Sequence, residues 1–132
     1  MKIEHVALWT HAIVPMREFY ERYFEAQSGA RYASATMPGF LSYFLRFARG
    51  GSRLELMALP ELAAAPVHPA QGYVHIAIAV GSRTEVDRLA QRMRADGVRV
   101  LSEPRQTGDG HYESVVADPD GNQVELAADD AA

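Results

Sequence analysis

The sequence predicts an α+β fold built from two copies of a single βαβββ module. Three observations lead there. Strand-like and helix-like stretches recur in one order in both halves of the 132-residue chain. A histidine and a glutamate stand 50 positions apart in each half, and their apolar neighbours coincide when the chain is slid by 70 positions. Agreement in both residue type and spacing marks an internal duplication.

The elements follow in order. Residues 2–10, "KIEHVALWT", are strand-like. Over 14–27, Met16, Phe19, Tyr20, Tyr23 and Phe24 recur at steps of three and four, giving a helix one apolar face. Strand-like runs at 32–36, 41–47 and 53–59 come next, separated by the turn signals "MPGF" and "RGGS". The second half opens with "GYVHIAIAV", a strand over 72–80. A helix over 82–95 follows, with Ser82 or Thr84 as N-cap and Val86, Leu89, Ala90 and Met93 on one face. Gly97 is placed to take the left-handed backbone that ends it. Strand-like runs at 98–101, 112–117 and 123–127 complete the copy, the last two joined by the tight turn "DPDGN". The chain thus reads as a single domain, with module 1 over about 1–60, a Pro- and Ala-rich linker over 61–71 and module 2 over about 72–128.

Composition narrows the function classes. With 48% hydrophobic and 23% charged residues the chain has the makings of a folded core. A net charge of −4 offers no electrostatic reason to expect nucleic acid or an acidic membrane surface as a partner. No apolar run reaches the length of a membrane span, and the first ten residues lack a signal-peptide pattern. The absence of cysteine rules out disulfides, thiol nucleophiles and zinc–thiolate clusters. A cytoplasmic setting is the default expectation.

Sliding the chain by 70 pairs His5 with His75 and Glu55 with Glu125, and aligns Val6 with Ile76, Ala7 with Ala77, Leu54 with Val124 and Leu56 with Leu126. Because strand side chains alternate between faces, the apolar partners Leu54, Leu56, Val124 and Leu126 belong on the helix side. His5, Glu55, His75 and Glu125 then point to the other, concave side. A lone carboxylate buried there costs several kcal/mol or is forced to neutralise. Two carboxylates and two imidazoles meeting at one point are instead satisfied together by a divalent cation: Zn, Ni, Co, Mn or Fe.

The motifs "IEHVAL", "LEL", "VHIAIAV" and "DPDGNQVEL" resemble those of the vicinal oxygen chelate superfamily, and within it glyoxalase I-like proteins of the glyoxalase/bleomycin resistance/dioxygenase group. The resemblance spans essentially the whole chain. It implies a cupped, partly open mixed β-sheet barrel with the helices outside. His5, Glu55, His75 and Glu125 match the glyoxalase I metal ligands, a set that antibiotic-sequestering relatives lack. The resemblance further implies a metal acting as Lewis acid on vicinal oxygens of a small molecule, an enediolate-type intermediate, and Glu125 as the general base. It also implies a homodimer in which His5 and Glu55 of one chain meet His75 and Glu125 of the other.

The pattern departs from glyoxalase I at three anchors for glutathione. Trp9, Leu59 and Gln71 stand where that enzyme carries arginine, asparagine and arginine. An indole cannot replace a guanidinium fork that grips a carboxylate, so a different, more apolar substrate is expected. Trp9, Met57 and Tyr73, each on a ligand's strand face by alternation, are candidate substrate-binding residues, with Tyr112 a further one beside Glu113 and Ser114. His11, His68 and His111 read as solvent residues. Two other readings stand beside the lyase or isomerase. One is a fosfomycin-type transferase or extradiol-type dioxygenase, whose three-ligand set leaves Glu55 over. The other is a protein that sequesters a hydrophobic or aromatic compound, with Trp9 as stacking platform.

Overall fold

A computed structural model describes residues 1–129. Contacts divide the chain into two compact units, Met1–Ala65 and the residues from Pro66 onward. The expected linker is therefore split between them. No helix among the described residues is long and apolar enough to cross a membrane.

The first unit runs β1 (His5–Trp9), α1 (Ile13–Phe24), β2 (Gln27–Ser28), β3 (Tyr32–Ala33), β4 (Leu41–Arg46) and β5 (Arg53–Ala58). Its sheet has the order β1-β5-β4-β2, with β3 also on β4, and only the β1–β5 pairing is parallel. Met16, Phe19, Tyr20, Tyr23 and Phe24 are buried on α1 and meet the face of the sheet that carries Tyr43, Leu45, Leu54 and Leu56. Truncating any one of these large side chains to alanine costs about 2–5 kcal/mol. Val6 belongs to that face by its register with Leu54, yet it is half exposed, because β1 is the edge strand.

The second unit runs β6 (His75–Gly81), α2 (Arg83–Ala95), β7 (Val100–Gln106), β8 (Tyr112–Ala117) and β9 (Gln123–Ala128). The sheet order β6-β9-β8-β7, again with one parallel pairing (β6–β9), repeats the connectivity of the first. Ser82 caps α2 by accepting from the Glu85 amide, and Gly97 follows it with φ +87°. Val86, Leu89, Ala90 and Met93 pack on Val116, Val124 and Leu126. In the β8–β9 turn the buried Asp118 carboxylate accepts from the Asp120 and Asn122 amides and from Asn122 Nδ2.

The α+β class and the doubled βαβββ order are thus present, with three local differences. Of the strand expected at 32–36 only Tyr32–Ala33 forms, as β3, and the helix expected to reach 27 ends at Phe24 so that a further short strand, β2, precedes it; both pair with β4. The strand expected at 98–101 continues to Gln106 through Pro104. An edge strand tolerates a residue without an N–H, and its register with β8 shifts on the way. The strand expected to start at Gly72 starts at His75.

Candidate functional site

In the first unit the parallel register sets His5 opposite Arg53, Ala7 opposite Glu55 and Trp9 opposite Met57. All six side chains lie on the sheet face away from α1, since the alternating Leu54 and Leu56 occupy the helix side. His5 Nε2 stands 3.7 Å from Glu55 Oε2. Phe44 lies opposite Glu55 on β4, and its ring meets the His5 ring edge to face at 5.4 Å. On the other side of the imidazole, Nδ1 is hydrogen-bonded to the Glu4 carboxylate.

The second unit repeats the arrangement. Ala77 lies opposite Glu125 and His75 opposite Gln123, on the face away from α2. His75 Nε2 stands 3.2 Å from Glu125 Oε2. Here the neighbours differ. Val115 takes the place opposite Glu125, and Glu113, two residues earlier on β8 and on the same face, sets a second carboxyl charge near it. Burial pushes the Glu125 carboxyl above the ordinary glutamate range, and the Glu113 charge adds to it, while His75 and then His111 pull it back. Neighbouring carboxyl groups resist ionising together. Arg105, in register with Glu113, lies 3.8 Å from it.

The structure brings together the sequence candidates His5 with Glu55, and His75 with Glu125. Trp9 and Met57 share the first pair's face. Tyr73 precedes β6, so strand alternation does not carry it to His75, and it is 98% exposed. Tyr112 is turned to the helix side: its hydroxyl donates to Asp87 on α2 at 2.7 Å and Arg83 lies over its ring. Ser114, on the same side, is buried and donates to the Ser102 carbonyl. Of the three neighbours at 112–114, Glu113 is the one beside Glu125. His111, read as a solvent residue, acts electrostatically on Glu125 from the loop before β8.

A divalent ion fits the chemistry of each pair. Two donors bound to one ion at about 2.1 Å stand roughly 3–3.5 Å apart, close to the spacing of the Nε2 and Oε2 atoms in both units. Among the described residues no group of three or more His, Cys, Asp or Glu side chains is gathered as a metal site. Each unit on its own gathers two such donors, one imidazole nitrogen and one carboxylate.

The family profile of the Glyoxalase/Bleomycin resistance protein/Dioxygenase superfamily matches residues 2–126. The chain belongs to this superfamily. Among solved structures, the glyoxylase/bleomycin resistance protein/dioxygenase domain from Frankia sp. EAN1pec superposes with a TM-score of 0.81 at 16% identity, over 97% of this chain and 91% of that one. A possible glyoxalase from Bacillus cereus gives 0.72 at 27% identity, over 96% and 98%. A curated relative, the uncharacterized protein YqjT of Bacillus subtilis, is 40% identical over 60 residues, a match covering 43% of this chain and 47% of that protein. In this member of the superfamily, the two departures from glyoxalase I in the first unit have visible surroundings. Trp9 packs edge to face on Phe40 at 6.0 Å, and Leu59 lies just past the end of β5.

Proposed function

We propose that this superfamily member is a divalent-metal-dependent lyase or isomerase of the glyoxalase I-like type, acting without glutathione on a small molecule that carries vicinal oxygens. The repeated His–Glu pair supports this best: the same two donors, at the same register of the same parallel strand pairing, with 3.7 and 3.2 Å between them. His5, Glu55, His75 and Glu125 would hold the ion, and the two half-sites would join across a homodimer, one chain supplying His5 and Glu55 and its partner supplying His75 and Glu125. When bound, a Zn, Ni, Co, Mn or Fe ion supplies Lewis acidity that stabilises the negative charge of an enediolate.

The chain's own residues handle the proton. Glu125 takes it from one carbon and returns it to the neighbouring one. In the metal-free protein burial and the Glu113 charge raise the Glu125 carboxyl, which makes it a readier proton acceptor than an ordinary glutamate. Trp9 and Met57, on the face of the first pair, line the substrate side. With Trp9, Leu59 and Gln71 at the three anchor positions, no guanidinium is available there to grip a glutathione carboxylate.

The reading is tested by stripping the protein with chelator and titrating it calorimetrically with Ni²⁺, Zn²⁺, Co²⁺ and Mn²⁺. One tight site per pair of half-sites, lost in both His5→Ala and His75→Ala, supports it. No binding of any of these ions contradicts it. A second reading, sequestration of an aromatic compound, is favoured by one observation. Trp9, 47% exposed, begins an edge-to-face row that continues through Phe40 to Tyr32. Retention of aromatic ligands by metal-free protein distinguishes it.

A further inference from the structure

The surroundings of the two histidines are unequal, and the inequality singles out Glu4. One oxygen of its carboxylate is hydrogen-bonded to His5 Nδ1. The other accepts from Arg53, with Nε at 2.9 Å and Nη2 at 2.5 Å. The Arg53 guanidinium lies over the Phe44 ring at 4.1 Å, and the same ring meets His5 edge to face. The backbone ties these parts together, for the Arg53 amide donates to the Glu4 carbonyl at 2.9 Å. His5 is therefore bracketed on one nitrogen and on its ring, while Nε2 faces Glu55.

The second unit has no counterpart to this bracket among its described residues. Seventy positions on, Glu4 becomes Val74 and Arg53 becomes Gln123. Opposite the glutamate, Val115 stands where Phe44 stands in the first unit.

We propose that Glu4 is a positioning residue for His5. By accepting the Nδ1–H it selects the tautomer whose Nε2 lone pair is free, and with Arg53 it aims that lone pair to the side of Glu55. A carboxylate on the far nitrogen of a ligating imidazole also raises the ring's basicity as a ligand. The first half-site is thereby preset for holding, whereas Glu125 in the second is crowded by Glu113. The assignment rests on the metal reading for what Nε2 does, but not for how the ring is oriented.

The test uses full-length, chelator-treated protein and two readouts. Long-range ¹⁵N–¹H NMR of the histidines reports the tautomer, and calorimetric titration with Ni²⁺ reports the affinity. Wild type is expected to show His5 as the Nδ1–H form. Glu4→Ala is expected to lose that preference and to bind Ni²⁺ roughly ten- to hundredfold more weakly. Glu4→Gln, which keeps an acceptor of the same length, should recover part of both. Glu103→Ala, removing a surface carboxylate paired with Arg94, should change neither. A wild-type His5 in the Nε2–H form, or a Glu4→Ala protein matching wild type in tautomer, overturns the proposal; an unchanged Ni²⁺ affinity does so too. If wild type binds no Ni²⁺, the metal reading fails, and the tautomer comparison alone decides whether Glu4 orients His5.

Discussion

Glu113 on β8 shares a sheet face with Glu125, so that the carboxyl 3.2 Å from His75 has a second acid charge as its neighbour. The first unit shows the opposite design, with Phe44 beside Glu55 and an acid behind the histidine instead. The two pairs therefore have different surroundings, an aromatic ring in one unit and an acid in the other.

That difference leads to a separation of metal binding from turnover. Glu125→Gln should lower turnover by about 10²–10⁴, the usual share of a general base, while most of the metal affinity remains. His75→Ala should abolish both. Steady-state rates beside metal content measure the split, and a Glu125→Gln protein with near-normal rates would reassign the base.

The raised Glu125 carboxyl also sets a pH dependence in the metal-free protein. A folded-state value above the unfolded one means that folding favours the protonated acid. Its contribution is full below the ordinary glutamate range and is lost as pH rises through the folded value. Metal-free Glu125→Gln, uncharged throughout, should therefore melt above wild type at neutral pH, the gap closing toward about pH 4. Thermal melts across that range check it. Added divalent ion should narrow the gap, because it binds the charged carboxylate.

Asp118 offers a test of the fold apart from chemistry. Its buried carboxylate satisfies the Asp120 amide and both nitrogens of Asn122 in the turn between β8 and β9. Asp118→Ala should cost about 2–3 kcal/mol in urea unfolding, since charge-assisted bonds are lost and buried donors orphaned. A change within 0.5 kcal/mol or so, the ordinary surface level, would show that the turn is held otherwise.

The substrate side makes a negative prediction. With Trp9, Leu59 and Gln71 in place of the glutathione anchors, the protein should show negligible activity on methylglyoxal with glutathione. Robust turnover in that assay would overturn the argument from these positions.

The duplicated order was readable because apolar periodicity and two polar interruptions agreed in both halves. His5, Glu55, His75 and Glu125 stood out for the same reason: titratable groups inside apolar strands demand an explanation. Glu4 gave no such signal. Strand alternation would send it to the opposite face from His5, but it lies just outside β1 and escapes that rule. Tyr73 was misjudged in the reverse way, by extending alternation past the first residue of β6. Glu113 could not be told from Tyr112 and Ser114 by parity. Only the burial of Ser114 and Val116 on the helix side shows which face remains. Nor did Pro104, an apparent strand breaker, reveal that β7 runs on as an edge strand.

The central claim is that both His–Glu pairs serve one ion. X-ray absorption spectroscopy of the Ni²⁺- or Co²⁺-loaded protein tests it most directly, because imidazole rings leave a countable outer-shell signature. The account predicts two imidazoles per ion in wild type, and no tightly bound ion to count them on in His5→Ala or His75→Ala. A wild-type ion bound by a single imidazole, or by none, would contradict it.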